Sequence, residues 1–215
     1  MSNYAIIVAG GSGSRMKADI PKQFLLLRDK PILQHTLERF LAVLPASHIV
    51  LVLPAREQAS WLALCEHHQF FPSIQTVDGG ASRFQSVRCG LAAIPVDGAL
   101  VAVHDGVRPF ISPDIIQTSF DTAARLGSAV TAVPVKDSVR VVDADGRSRA
   151  VDRRQYQLVQ TPQTFRLDWF RQAFAVEEQP FFTDCASVLE FSGFPISLIE
   201  GSYENIKITT PDDLR

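Results

Sequence analysis

Four stretches of the chain are apolar almost throughout: YAIIVA (residues 4–9), HIVLVLP (48–54), ALVAVHD (99–105) and SAVTAVPV (128–135). A strand with one wet face alternates apolar and polar side chains; an uninterrupted run belongs to a sheet covered on both faces. SIQTV (73–77) reads as a further short strand. Between these runs lie segments of helical spacing: ILQHTLERFLAVL (32–44), REQASWLALCEHH (56–68), SRFQSVRCGLAAI (82–94) and SPDIIQTSFDTAARLG (112–127). Their ends are marked. Ser82 and Gln85 have capping-box spacing, Ser112 precedes Pro113 at the first helical position, and Gly127 terminates. Strand–helix alternation of this kind predicts parallel βαβ units. The expectation is one α/β domain over residues 1–215, with a Rossmann-like, mostly parallel sheet and helices on both faces.

Composition narrows the partners. A net charge of -2 argues against a nucleic-acid or acidic-membrane partner. No apolar run approaches the ~18–20 residues that span a bilayer. The three cysteines, Cys65, Cys89 and Cys185, are odd in number and form no CxxC, which points to a reducing cytoplasm rather than a disulfide framework. CEHH (65–68) could suggest metal ligands. Adjacent helical residues diverge in direction, so it reads instead as one buried thiol and two surface imidazoles.

Residues 136–160 break the rhythm. Short alternating runs flank DADG, a hairpin signal, in a polar, Arg-rich stretch. This predicts a protruding β-arm at about 136–160. Such an arm is marginal alone and gains stability against a second copy, so a homodimer is expected.

In a doubly wound sheet, ligands bind beyond the carboxyl ends of the strands. After the first strand comes AGGSGSRMKADIPKQF (9–24). It lacks the Gly-Lys-Ser/Thr ending of a Walker loop, and Met16 stands where a dinucleotide fingerprint has its third glycine. The second strand ends LVLPAR with no acid for a ribose, which weakens a nicotinamide-dependent reductase. The loop still offers backbone N–H groups to an anion from Ala9, Gly10, Gly11, Ser12 and Gly13. Arg15 adds a planar fork, and Lys22, behind Pro21, a mobile point charge. Two cations suit a reaction in which negative charge builds at phosphorus. After the next loops, Gly79 and Gly80 let a ligand approach the backbone, with Ser86 one turn on. Asp105 could orient a hydroxyl or touch a phosphate-bound Mg2+, while Arg108 either binds an anion or pairs with Asp105. Thr183 is a site residue or a helix N-cap. Lys207, in a short strand between Ile206 and Ile208, reaches the crevice or faces solvent.

Taken in order, AGGSGSRM, PKQF, DGGASR, HDGVRPF, VDRRQYQLVQTPQTF, TDCAS and ENIKITTPDDL resemble the cytidylyltransferase family that joins CTP to 2-C-methyl-D-erythritol 4-phosphate in non-mevalonate isoprenoid biosynthesis. The ribitol 5-phosphate cytidylyltransferases are close siblings, and a non-catalytic nucleotide-binding module is the alternative from another class. The resemblance implies that Arg15, Lys22 and Lys207 are catalytic and that residues 9–13, Gly79, Gly80, Ser86 and Asp105 hold CTP. Asp105, Arg108, Ser138, Arg153, Thr183 and Lys207 would hold the polyol phosphate. It further implies Mg2+ or another divalent cation held mainly by CTP, and a homodimer in which Arg153 of the arm reaches the other subunit's site. Two positions depart from the family pattern: Ala81, where relatives often carry a polar residue, and Cys185, where they carry Glu or Asp. The end, ITTPDDLR, reads as the first turn of a helix that the family continues.

Overall fold

Each of the five runs read as core strands forms one within a residue or two of its expected bounds. The computed structural model describes residues 1–10 and 20–214. Along the chain lie β1 (Ser2–Val8), the small strands β2 (Leu26–Leu27) and β3 (Lys30–Pro31), and α1 (Ile32–Leu41). Then come β4 (Ile49–Leu53), α2 (Ala55–His67), β5 (Gln75–Asp78), α3 (Arg83–Ala92), β6 (Ala99–Asp105), α4 (Pro113–Leu126) and β7 (Ser128–Pro134). The hairpin strands β8 (Arg140–Val142) and β9 (Ser148–Ala150) lead to β10 (Gln157–Arg166), α5 (Leu167–Ala173), α6 (Cys185–Phe191) and β11 (Leu198–Glu200).

Among the described residues the central sheet has seven strands in the order β11-β7-β10-β6-β1-β4-β5. All neighbours are parallel except β10, which runs antiparallel to both β6 and β7. This long strand went unpredicted because QLVQTPQTFR is mostly polar. Its buried threonines and glutamines, from Gln160 onward, face internal partners: Thr164 donates to Ser119 Oγ at 2.8 Å, and Thr131 of β7 donates to the Pro162 carbonyl at 2.7 Å.

The two faces of β1 explain its unbroken apolarity. Ile6 packs with Val50, Val52, Val87 and Phe165 under α3, α5 and α6. Ile7 points the other way, into Leu33, Leu37, Phe40, Leu51 and Phe120 under α1 and α4. The Ser112 side chain accepts from Ile115 N, Pro113 opens α4, and Gly127 takes φ +87° at its end. The Ser82 side chain caps α3 through Gln85 N, but the reciprocal bond differs from a capping box: Gln85 Oε1 accepts from Ala81 N, one residue further back.

The DADG turn forms as expected, with Asp143 Oδ1 accepting from Asp145 N and Arg147 N. The hairpin itself spans β8 and β9; residues Gln157, Leu158 and Val159 already pair with β7 in the central sheet. Cys65 is buried on α2 and His67 is exposed. The segment after Lys207 ends in a single 3-10 turn, Pro211–Leu214, where Asp213 accepts from the Thr209 and Thr210 N–H groups. No helix among the described residues is long and apolar enough to cross a membrane.

Candidate active site

The parallel register of β1 and β6 places Val8 beside Asp105, so the loops leaving these strands share one crevice. Pro21 precedes a 3-10 turn, Lys22–Phe24, which brings Lys22 to that crevice and drives Phe24 under the sheet against Trp61. Gln23 is buried and donates to the Ala9 carbonyl at 2.8 Å and to Glu57 Oε2 at 2.6 Å, tying this turn to the end of β1. Burial pushes the Glu57 carboxyl up, against Arg56 and the Gln23 bond.

Two cavities adjoin here. The first, about 140 Å³, is lined by Ala9, Gly10, Lys22, Gln23 and Val107 among others. The second, about 260 Å³, is lined by Arg108, Gln160, Thr161, Gln163, Thr183 and Asp184. Arg83, Asp105 and Lys207 line both.

Asp105 is the hub. Lys207 Nζ lies 3.1 Å and Arg108 Nε 3.3 Å from its Oδ2, while Arg83 Nη2 lies 3.6 Å from Oδ1. Burial alone would raise the Asp105 carboxyl. Arg83, Lys207 and Arg108 outweigh it and hold the group well below the usual carboxylate range. Arg108 also donates to the Asn205 carbonyl at 2.8 Å, and buried Asn205 donates to the Thr161 carbonyl at 2.8 Å. This network carries the segment with Lys207 against β10. Behind Asp105, the buried His104 ring bonds to the Arg108 carbonyl and Thr161 Oγ1. Burial pushes this imidazole down to about 4, so it is neutral near pH 7.

The structure thus brings Ala9, Gly10, Lys22, Asp105, Arg108, Thr183 and Lys207 to the two cavities. Gly11, Ser12, Gly13 and Arg15 lie outside the described residues. Lys207 reaches the crevice from a segment without regular structure, not from the expected strand. Arg108 does pair with Asp105. Thr183 is not the N-cap of α6: Asp184 is, in a reciprocal box with Ser187. Ser86 differs from expectation. It is buried and turned into its own loop, donating to the Ser82 carbonyl at 2.8 Å and accepting from Gly80 N at 3.2 Å. Gly79 and Gly80 line neither cavity, and the chain supplies another reason for them. A Cβ on Gly80 would sit 2.3 Å from Gln85 Cβ, so the loop packs on α3 only without side chains. Ser138 and Arg153 are exposed and line neither cavity of their own chain; Arg153 donates to the Lys136 carbonyl.

Arg83, Gln23, Gln163 and Asn205 were passed over by sequence reasoning. All four fall within the matching stretches, but nothing in the letters says that a helix's first residue turns toward Asp105.

A sheet of this order, with a cation-rich crevice at the carboxyl ends of its central strands, defines a Rossmann-like α/β protein of the class that handles phosphorylated ligands. The family model for 2-C-methyl-D-erythritol 4-phosphate cytidylyltransferase (IspD) matches residues 3–215. The chain belongs to that family. It is 51% identical over 212 residues to the Porphyromonas gingivalis protein of that name, covering 98% of this chain and 94% of that one. It is 40% identical to the Halalkalibacterium halodurans protein, covering 100% and 94%. Among solved structures, 4-diphosphocytidyl-2C-methyl-D-erythritol synthase of Anaerococcus prevotii superposes with a TM-score of 0.84 at 28% identity, covering 99% of this chain and 92% of that one. The Thermus thermophilus cytidylyltransferase gives 0.78 at 30% identity, covering 100% and 96%.

Proposed function

We propose that this chain transfers the cytidylyl group of CTP to 2-C-methyl-D-erythritol 4-phosphate, releasing pyrophosphate and 4-diphosphocytidyl-2-C-methyl-D-erythritol. The observation that carries this reading is the pair of adjoining cavities with Asp105 and Lys207 in their common wall. One has Lys22 and the start of the glycine loop and suits a triphosphate. The other has Arg108 and Thr183 and suits a phosphorylated polyol.

A phosphate oxygen of the acceptor attacks the α-phosphorus of CTP. That P–O bond forms as the bond to the β-phosphate's bridging oxygen breaks, and the electron pair leaves with pyrophosphate. The acceptor is already anionic near pH 7, since its second pKa is ~6, so no general base is required. The difficulty is bringing anions together, and catalysis is charge placement. Lys22 and Arg15 offset charge at the α-phosphate, and Lys207 and Arg108 hold the acceptor. Asp105 keeps Lys207 and Arg108 in place.

A divalent cation such as Mg2+ would supply further neutralisation of phosphate charge. Among the described residues no cluster of three acidic, His or Cys ligands exists, and the Asp105 carboxylate lies within 4 Å of three cations. These residues do not fit a protein-built metal cage, so the ion would be held by the triphosphate.

On this reading residues 1–215 are one nucleotidyltransferase domain and the arm is its dimerisation element. The arm of one protomer would present Arg153 and Ser138 to its partner's second cavity. The exposure of every residue in β8 and β9 supports this. Three free cysteines support a cytoplasmic setting.

The test is pyrophosphate release from CTP with methylerythritol phosphate and, in parallel, ribitol 5-phosphate. Turnover with the first alone is expected. Turnover with ribitol phosphate alone would move the chain to the sibling activity, and turnover with neither would leave a nucleotide-binding module.

A further inference from the structure

Arg83 has no role in the transfer as described, yet it stands where the reaction has to occur. The attacking oxygen and the phosphorus must approach to about 3–3.5 Å, which happens only where two substrate cavities meet. Arg83, Asp105 and Lys207 are the wall they share. Of these, Asp105 repels phosphate and Lys207 already faces the acceptor.

The guanidinium of Arg83 is thinly paired for its position. Its side chain is 30% exposed and carries five N–H donors. Nη2 lies 3.6 Å from Asp105 Oδ1, beyond hydrogen-bond range, and that carboxylate is shared with Arg108 and Lys207. Nη1 donates to Cys185 Sγ at 3.4 Å. Burial pushes the Cys185 thiol up, against the pull of Arg83, so this partner is neutral. The nearby Asp184 is committed to Ser187 N at 2.8 Å and Gln163 Nε2 at 2.8 Å. A residue serving only to tether α3 to α6 would have a carboxylate partner in fork geometry at about 2.7–2.9 Å. Instead a neutral thiol fixes one end of the fork, and three cations face two carboxylates, Asp105 and, beyond ion-pair contact with Arg83, Asp184. The surplus charge faces the two cavities.

Building on the cytidylyl-transfer reading, we infer that Arg83 contacts substrate phosphate at the junction of the two cavities. Its charge stabilises the pentacoordinate α-phosphorus between CTP and the acceptor. Cys185 and Asp105 act as the positioning groups that aim it.

The experiment compares Arg83→Gln and Arg83→Lys in steady-state kinetics for both substrates, CTP titration calorimetry and thermal melting. Arg83→Gln is expected to lose about 10²–10³-fold in kcat, to bind CTP more weakly and to melt close to the wild type. Arg83→Lys, which keeps the charge but not the fork, is expected within about tenfold of wild-type kcat. Wild-type kinetics in Arg83→Gln would overturn the inference. So would an Arg83→Lys protein as impaired as Arg83→Gln, since the role would then be the fork's tether. If Arg83→Gln does not fold, Arg83→Lys decides alone: a kcat more than about tenfold below the wild type overturns the inference. If the wild type releases no pyrophosphate with either acceptor, the functional reading fails separately. Calorimetry then still tests Arg83, and unchanged CTP affinity in the folded variants overturns it.

Discussion

His104 predicts a loss of stability on mild acidification that can be worked out in advance. Its ring is fully buried against Phe40, one residue before Asp105. The Arg108 carbonyl can only accept, so Nε2 carries the proton at 3.2 Å. Nδ1 then accepts from the Thr161 hydroxyl at 3.0 Å, and Thr161 Oγ1 accepts from Asp105 N at 3.1 Å. Every position is filled with the ring neutral; a proton on Nδ1 would turn one bond of this chain against itself. Burial, only partly offset by the Asp105 charge and the Arg108 carbonyl, pushes the folded pKa down to about 4 against an ordinary 6.5. Between these values the unfolded chain binds a proton that the folded chain refuses, so stability is full above pH 6.5 and falls as pH drops toward 4. At about 1.4 kcal/mol per pH unit, the loss comes to roughly 3 kcal/mol. For a chain of this size that is about 6–12 °C in melting temperature. The Asp105 carboxylate enters only at much lower pH, because its folded pKa is depressed and its contribution is lost below the ordinary carboxylate range. Glu57 works the other way: its raised pKa means that acid relieves its burial. Urea unfolding from pH 7.5 to 4.5, in a Glu57→Gln background with and without His104→Asn, isolates the imidazole. The His104 protein should lose stability across this range by roughly 2–3 kcal/mol more than its Asn partner. Equal slopes would refute the assignment.

Lys22→Ala should reduce kcat by about 10²–10³ while weakening CTP binding far less, read by steady-state kinetics beside calorimetry. Arg153→Ala should raise KM for the polyol phosphate more than KM for CTP, and the opposite pattern would put the arm elsewhere. Asp105→Asn should cost about 3–5 kcal/mol by leaving three cations facing one another, and pyrophosphate should raise its melting temperature more than it does the wild type's. Gly127→Ala should lower the unfolding midpoint, since φ is +87° and the new Cβ would lie 2.2 Å from the Trp169 ring; activity per folded molecule should be retained.

The strands of the core were legible because β1, β4, β6 and β7 are buried on both faces, a condition that leaves an unbroken apolar record. The strand β10 was not, because burial there is satisfied by internal hydrogen bonds: Gln163 Oε1 accepts from Ala186 N and its Nε2 donates to Asp184. A polar strand of this kind looks like loop until its partners are known. The site divided along the same line. Lys22, Asp105, Arg108, Thr183 and Lys207 fell at loops following strands or in a matching motif, and all reach the cavities. The resemblance implies a CTP contact for Ser86, one turn into α3, but its hydroxyl has nearer partners at Ser82 and Gly80. Arg83 was missed because direction, not identity, makes it part of the site, and helix direction is set by the packing of Phe84 and Val87 on the sheet.

A carboxylate in the middle of an anion site has a physical justification. Lys207 comes from a segment without regular structure and Arg108 from a turn, and neither would hold a long cationic side chain still by itself. Fixing such side chains costs up to about 2 kcal/mol each in rotamer entropy. Asp105 sits at the end of a strand whose seven residues are all buried, so its position is set by the core. It gathers cations from α3, from the turn after β6 and from the segment near Asn205 before any substrate arrives. The repulsion it adds is one charge against three. The ordering it supplies is prepaid by folding, which is the form of catalysis available to a reaction that moves no proton and needs only charges in fixed places.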